Sequence, residues 1–216
     1  MIQTNIYIIY RPIMQNIFLI RHGQSLWNSN NIKQWLNDYE LSEQWKEQAN
    51  TINLWITIDK MFSSPYKRAI STAKIIAKNH NFNNANIVED IRLHEWEVFN
   101  DKKWYELTEE NRKKINPYIL RYPAEAPYWD WESFLDIHSR LHNFLKDFIY
   151  NDNSENIVIV SHAAAINHLV YLLLFWKTEN ANEHYDFITK FNHIKNAWIT
   201  KIICKNWKYL IDYFNK

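Results

Sequence analysis

A single glycine, Gly23, occurs in 216 residues, where an average usage of about 7% would supply roughly fifteen. Glycine is the residue that takes positive φ cheaply and lets another group come close to the backbone, so this scarcity demands a reason. One cysteine, Cys204, excludes an intrachain disulfide and favours a reducing compartment. A net charge of +1 provides no field to draw in nucleic acid or an anionic membrane, so neither is expected as a partner. The longest apolar stretch, around His168–Trp176, is too short to span a bilayer. The opening MIQTNIYIIYRPI alternates polar and apolar residues and carries no signal-peptide cleavage site. With 47% hydrophobic and 23% charged residues, the chain has the composition of a folded domain rather than a disordered one. These features predict one soluble, cytoplasmic domain; the oligomeric state is left open.

What the chain does contain alternates between strand and helix. Ile17–Ile20 and Ile157–Val160 are short continuous apolar runs, the pattern of strands buried on both faces. Met61-Phe62 and Asn86–Val88 read as two further strands. Ala197–Cys204 and Tyr209–Tyr213 read as a final antiparallel pair. Helical spacing appears in Leu41–Trp55, Tyr66–Lys78, Glu132–Tyr150 and Ala163–Phe175, with Ser63-Ser64-Pro65 as a capped helix start. The alternation predicts an α/β three-layer sandwich, with a mostly parallel central sheet and helices on both faces. A helical and loop insertion is expected at about 96–131. The domain is taken as 14–216; residues 1–13, ahead of Met14, are read as an N-terminal extension or a misassigned start.

Chemistry gathers where strands end. Arg21-His22-Gly23 follows the first strand, Ser63-Ser64-Pro65…Arg68 the second, and Ser161-His162 the IVIV strand. In open α/β sheets ligands bind at the carboxyl ends of strands, so two histidines and two arginines should meet there. Helix N-termini near Pro65 and Ala163 would add backbone N–H groups. Such a pocket suits a dianion such as a phosphate monoester. A metal is not expected: arginines beside the histidines repel a cation. His138 and His142, at i,i+4 spacing with no third ligand nearby, read as a solvated helix face.

The segments FLIRHGQSLWN, SSPYKRAISTA, LHE and VIVSHAAAI, in this order, resemble the histidine phosphatase superfamily (phosphoglycerate-mutase-like), and its phosphatase branch in particular. The resemblance implies that His22 is the nucleophile and that Arg21, Arg68 and His162 hold the phosphate. It also gives Glu95 the leaving-group proton, with Glu97 as the alternative donor, and adds Asn28 as a phosphate contact. It implies a phosphomonoester hydrolase working through phosphohistidine on a small molecule, with no cofactor and no metal. Specificity would lie in residues 96–131. A cofactor-dependent phosphoglycerate mutase-type phosphotransferase is the alternative, and a non-catalytic phospho-ligand binding module the second.

The departures from the family pattern share a direction. Where relatives read G-x-x-D-x-x-L-[ST]-x-x-G-x-x-Q-A, this chain has Trp35 and Trp45 at the glycine positions. Trp55, Trp131, Trp176 and Trp207 also stand where glycine is usual. One glycine beside eleven tryptophans suggests that most of these tryptophans are glycines translated with the wrong genetic code, since UGA is read as either residue. The six positions are then expected in turns or at helix ends, several with φ > 0 and several with exposed rings.

Overall fold

The protein is represented by a computed structural model that describes residues 14–23, 41–96, 132–175, 183–184, 187–188 and 194–214. The strands are β1 (Met14–Arg21), β2 (Lys60–Ser63), β3 (Ile87–Glu89), β4 (Asn156–Ser161), β5 (Ile199–Lys205) and β6 (Lys208–Tyr213). Among the described residues, the helices of two turns or more are α1 (Glu43–Asn50), α2 (Lys67–Asn79), α3 (Phe134–Phe148) and α4 (Ala163–Phe175). The six strands form one sheet in the order β3-β2-β4-β1-β5-β6. Strands β3, β2, β4 and β1 are mutually parallel, while β5 pairs antiparallel with β1 and β6 antiparallel with β5.

Two-residue alternation along the central strands builds two cores. Ile17, Leu19, Ile157 and Ile159 point to one face, where Leu141, Phe144 and Leu145 of α3 meet Ile166, Leu169 and Val170 of α4. Phe18, Ile20, Val158 and Val160 point to the other, against Ala69, Ala73, Ile76 and Ala77 of α2. Burial on both faces explains why β1 and β4 are continuously apolar. The layers are therefore helix, sheet and helix, as the alternation predicts. No helix among the described residues is long and apolar enough to cross a membrane.

Several boundaries differ from the sequence reading. The helix expected over Leu41–Trp55 stops at Asn50. Beyond it Ile52, Leu54 and Ile58 are buried at every second or fourth residue from an irregular segment, and the backbone N–H of Leu54 donates to His80 Nε2 at 2.9 Å. Apolar spacing alone does not separate these two arrangements. β5 starts at Ile199 rather than Ala197, because Ala197 has φ 60° and turns the chain into the strand. The start of α2 is also different: Tyr66 is its N-cap. The helix of Glu132–Tyr150 is bounded instead by Ser133, whose Oγ accepts from Asp136 N while the Asp136 carboxylate accepts from Ser133 N. Residues 1–13 and the insertion beyond Trp96 lie outside the described residues.

Candidate active site

Strand register puts the reactive segments side by side. β4 lies between β2 and β1, with Arg21 opposite Ser161 and Ser63 opposite Val160. The chain continues this alignment past the strand ends: His22 N donates to Ser161 O at 3.0 Å and Ser64 N to Val160 O at 2.9 Å. His22, Ser64 and His162 therefore emerge from three adjacent strands at one level.

Their side chains form a connected, buried group. His22 is 4% exposed, Arg68 2% and His162 fully buried. The two imidazoles lie 4.9 Å apart between centroids. Nδ1 of His22 meets the Gly23 carbonyl at 2.6 Å; a carbonyl only accepts, so Nδ1 carries the proton and Nε2 the lone pair. Arg68 Nε donates to that Nε2 at 3.3 Å. The same guanidinium reaches His162 Nδ1 at 3.3 Å through Nη2, which makes Nε2 of His162 the donor to Ser64 Oγ, at 2.8 Å. Arg21 lies beside the group and anchors through Nη1 on the Ile194 carbonyl.

Burial pushes both histidines well below the ordinary imidazole range, and the charges of Arg68 and Arg21 push in the same direction. Both rings are therefore neutral at physiological pH, and the two guanidinium groups supply positive charge beside them. This arrangement offers one unprotonated ring nitrogen to an electrophile and cationic donors to an anion.

Glu95 closes the group from another direction. Its Oε1 accepts from the backbone N–H groups of Ala164 at 3.0 Å, Ala165 at 3.3 Å and Trp96 at 3.0 Å. The α4 amides expected to face a phosphate are thus already engaged by this carboxylate. Its charge favours protonated Arg21, placing the two groups within electrostatic reach. Asn28 and Glu97 lie outside the described residues.

Residues that sequence reasoning passed over hold the group in place. Ser64, read as part of a helix cap, instead orients His162. The Tyr66 ring stands edge-on to His162 at 5.3 Å and beneath the Arg68 guanidinium at 4.8 Å. Thr72 Oγ1 accepts from Gly23 N at 3.0 Å and donates to Arg68 O at 2.8 Å. Its spacing of four from Arg68 on one helix was the available signal. Asn196 Nδ2 donates to the His22 carbonyl at 3.0 Å, and nothing in the local sequence pointed to it. Gly23 is closely packed: a Cβ there would lie 3.1 Å from Leu41 Cδ2 and 3.4 Å from Trp45 O, so a side chain would need Leu41 to shift by a few tenths of an ångström.

Residues 17–215 match the model of the histidine phosphatase superfamily (branch 1). The chain belongs to this superfamily. Phosphoserine phosphatase 1 of Hydrogenobacter thermophilus is 27% identical over 188 residues, covering 81% of this chain and 86% of that protein. The 2,3-bisphosphoglycerate-dependent phosphoglycerate mutase of a Hydrogenobaculum strain is 36% identical over 88 residues, which cover 38% of this chain and 35% of the mutase. Among solved structures, a phosphoserine phosphatase mutant from Entamoeba histolytica, in complex with phosphoserine, superimposes with a TM-score of 0.69 at 25% identity. That superposition covers 94% of this chain and 97% of the other. The superfamily fold and the strand-end cluster thus coincide in one molecule.

Proposed function

We propose that this histidine phosphatase superfamily member hydrolyses small phosphomonoesters through a phosphohistidine on His22. The observation that carries the reading is the tautomer of His22: Nδ1 is tied to the Gly23 carbonyl, and the lone pair of Nε2 points toward the Arg68 guanidinium. Nε2 attacks phosphorus in line, forming the P–N bond as the ester P–O bond breaks. Arg21, Arg68 and His162 hold the equatorial oxygens and stabilise the charge that gathers on them. Glu95, fixed through Oε1, enters this step in its protonated form and gives the Oε2 proton to the departing alkoxide. The same carboxylate then takes a proton from water as water attacks phosphorus. The P–N bond breaks, and inorganic phosphate and neutral His22 are left.

The positive charge needed at phosphorus comes from side chains in this scheme, so the step requires no metal. The relatives named phosphoserine phosphatases support phosphoserine as the first substrate to test, with phosphoglycerate beside it. Hydrolase and mutase share the nucleophile and differ in whether water or a second alcohol receives the phosphoryl group. Incubation with radiolabelled substrate and an acid-stable or base-stable quench tests the reading. Label should appear on the chain as base-stable, acid-labile phosphohistidine and should vanish in His22→Ala. A chain that binds phosphoserine but never becomes labelled is a binding module; labelled product arising on an added phosphoglycerate would identify a mutase.

A further inference from the structure

Away from the strand ends, α3 and α4 bring three more histidines together. His138 of α3, His168 of α4 and His184 are all buried. One ring nitrogen from each lies within 4.8 Å of the other two. His168 and His184 are 4.7 Å apart between centroids, and His138 and His184 are 5.2 Å apart. His138 is thus not on the solvated face that its spacing from His142 suggested. The third ligand missing from the local sequence arrives from α4 and from residue 184.

These rings are under-used as hydrogen-bonding groups. His138 Nδ1, both nitrogens of His168 and both of His184 are buried with no hydrogen-bond partner. Buried polar atoms are almost always partnered, and five orphans in one cluster are not accounted for by packing. Aromatic neighbours close the surroundings: Phe134 lies 5.1 Å from His168 and 4.7 Å from His184, Trp96 5.5 Å from His168, and Tyr171 stacks on His184 at 3.7 Å. None of them hydrogen-bonds any of the five orphaned ring nitrogens. Burial and mutual proximity keep all three imidazoles neutral, with His138 lowered to about 4 and His184 to about 2. Neutral imidazole is the form that ligates a metal.

We propose that His138, His168 and His184 form a binding site for a divalent transition cation of the zinc type, separate from the phosphate pocket. Three imidazoles are a sufficient protein set for Zn2+, with solvent as the fourth ligand. Tetrahedral ligation at about 2.0–2.1 Å sets nitrogens roughly 3.3 Å apart, so side-chain rotation must close the present spread of up to 4.8 Å by as much as about 1.5 Å. The slight exposure of His138 gives the ion an approach from solvent. Bound there, it would clamp α3, α4 and the segment carrying His184 together and give one nitrogen of each ring a partner.

Tag-free full-length protein, stripped of metal and titrated with Co2+ and then Zn2+, tests this. Expected are one equivalent of Co2+ with the visible absorption of four-coordinate cobalt, displacement by Zn2+, and a Tm raised by roughly 5–10 °C at a hundredfold excess over Kd. X-ray absorption of the zinc form should show imidazole nitrogens at about 2.0–2.1 Å. His168→Gln and His184→Gln should lose the stoichiometric site, while His142→Gln keeps it. Should those variants fail to fold, the titration and absorption spectrum of the wild-type chain still decide. No tight binding, ligation without imidazole, or binding abolished by His22→Ala would each overturn the proposal.

Discussion

Trp55 and Trp207 hold bulky side chains in left-handed backbone, at φ 53° and 67°, with 87% and 63% of their surface exposed. Such a conformation costs an L-residue roughly 1–2 kcal/mol relative to glycine. Asn206 precedes Trp207 at φ 52°, so the β5–β6 connection has the type I′ geometry that Asn-Gly suits. Trp45 departs from the expectation: it is half-buried within α1, next to Gly23. Trp35, Trp131 and Trp176 lie outside the described residues. Trp55→Gly and Trp207→Gly should each raise Tm by about 2–4 °C in thermal unfolding, the reverse of the usual effect of deleting a tryptophan. Sequencing the gene gives the direct check: UGA at these codons is expected, and UGG at all of them ends the recoding idea. In the pocket, His22→Ala should remove turnover altogether. Glu95→Gln should slow alkyl phosphates by about 10²–10⁴-fold and activated aryl phosphates far less, read from a series of leaving groups.

At the scale of elements, Glu95 is positioned from both sides. Its carboxylate seats the N-terminus of α4, and its backbone carbonyl accepts from Arg140 Nη2 of α3 at 3.2 Å. Arg140 also pairs with Glu132 and donates to the Arg92 carbonyl, so it joins α3 to the turn that carries Glu95. Arg140→Met should therefore lower kcat on alkyl phosphates while leaving KM nearly unchanged, with the deficit reduced for activated leaving groups. A defect equal for all substrates would make Arg140 merely structural. The capping pair Ser133–Asp136 at the start of α3 is independent of the pocket. Ser133→Ala should lower stability by about 0.5–2 kcal/mol, measured as a shift in urea midpoint with an unchanged m-value and unchanged kcat/KM.

At the scale of the molecule, five buried histidines among the described residues are held neutral: His22 and His162 in the pocket, and the cluster of His138, His168 and His184. Each has a folded pKa below its unfolded value near 6.5, so below that pH the unfolded chain binds more protons than the folded one. Stability then rises with pH in this range and is lost as pH falls below about 6.5; above it these groups contribute no further slope. Urea melts from pH 8 to 4.5 should show a flat upper limb and a steep acidic decline. Bound zinc should steepen that decline, since protons compete for its ligands. A midpoint independent of pH between 6.5 and 4.5 would show that these rings remain accessible to solvent.

The sequence by itself determined the apolar strands β1 and β4, the order of strands and helices, and the segments that carry Arg21, His22, Arg68, Glu95 and His162. These are local signals, because burial on both faces writes a continuous apolar run and reactive groups follow immediately after strand ends. Element edges were less legible: Ile52, Leu54 and Ile58 bury from an irregular segment because tertiary packing, not helical period, sets their direction. The meeting of His22, Arg68 and His162 was legible because each follows a strand end, whereas the other contacts between distant residues were not. Asn196 reaches the His22 carbonyl from 174 positions away, and Ser64 faces His162 only because β2 and β4 align in register. His138 reads as a surface residue when its own helix is considered alone. Only the packing of α3 against α4, which buries one face of α3 and most of α4, turns that ring inward to meet His168 and His184.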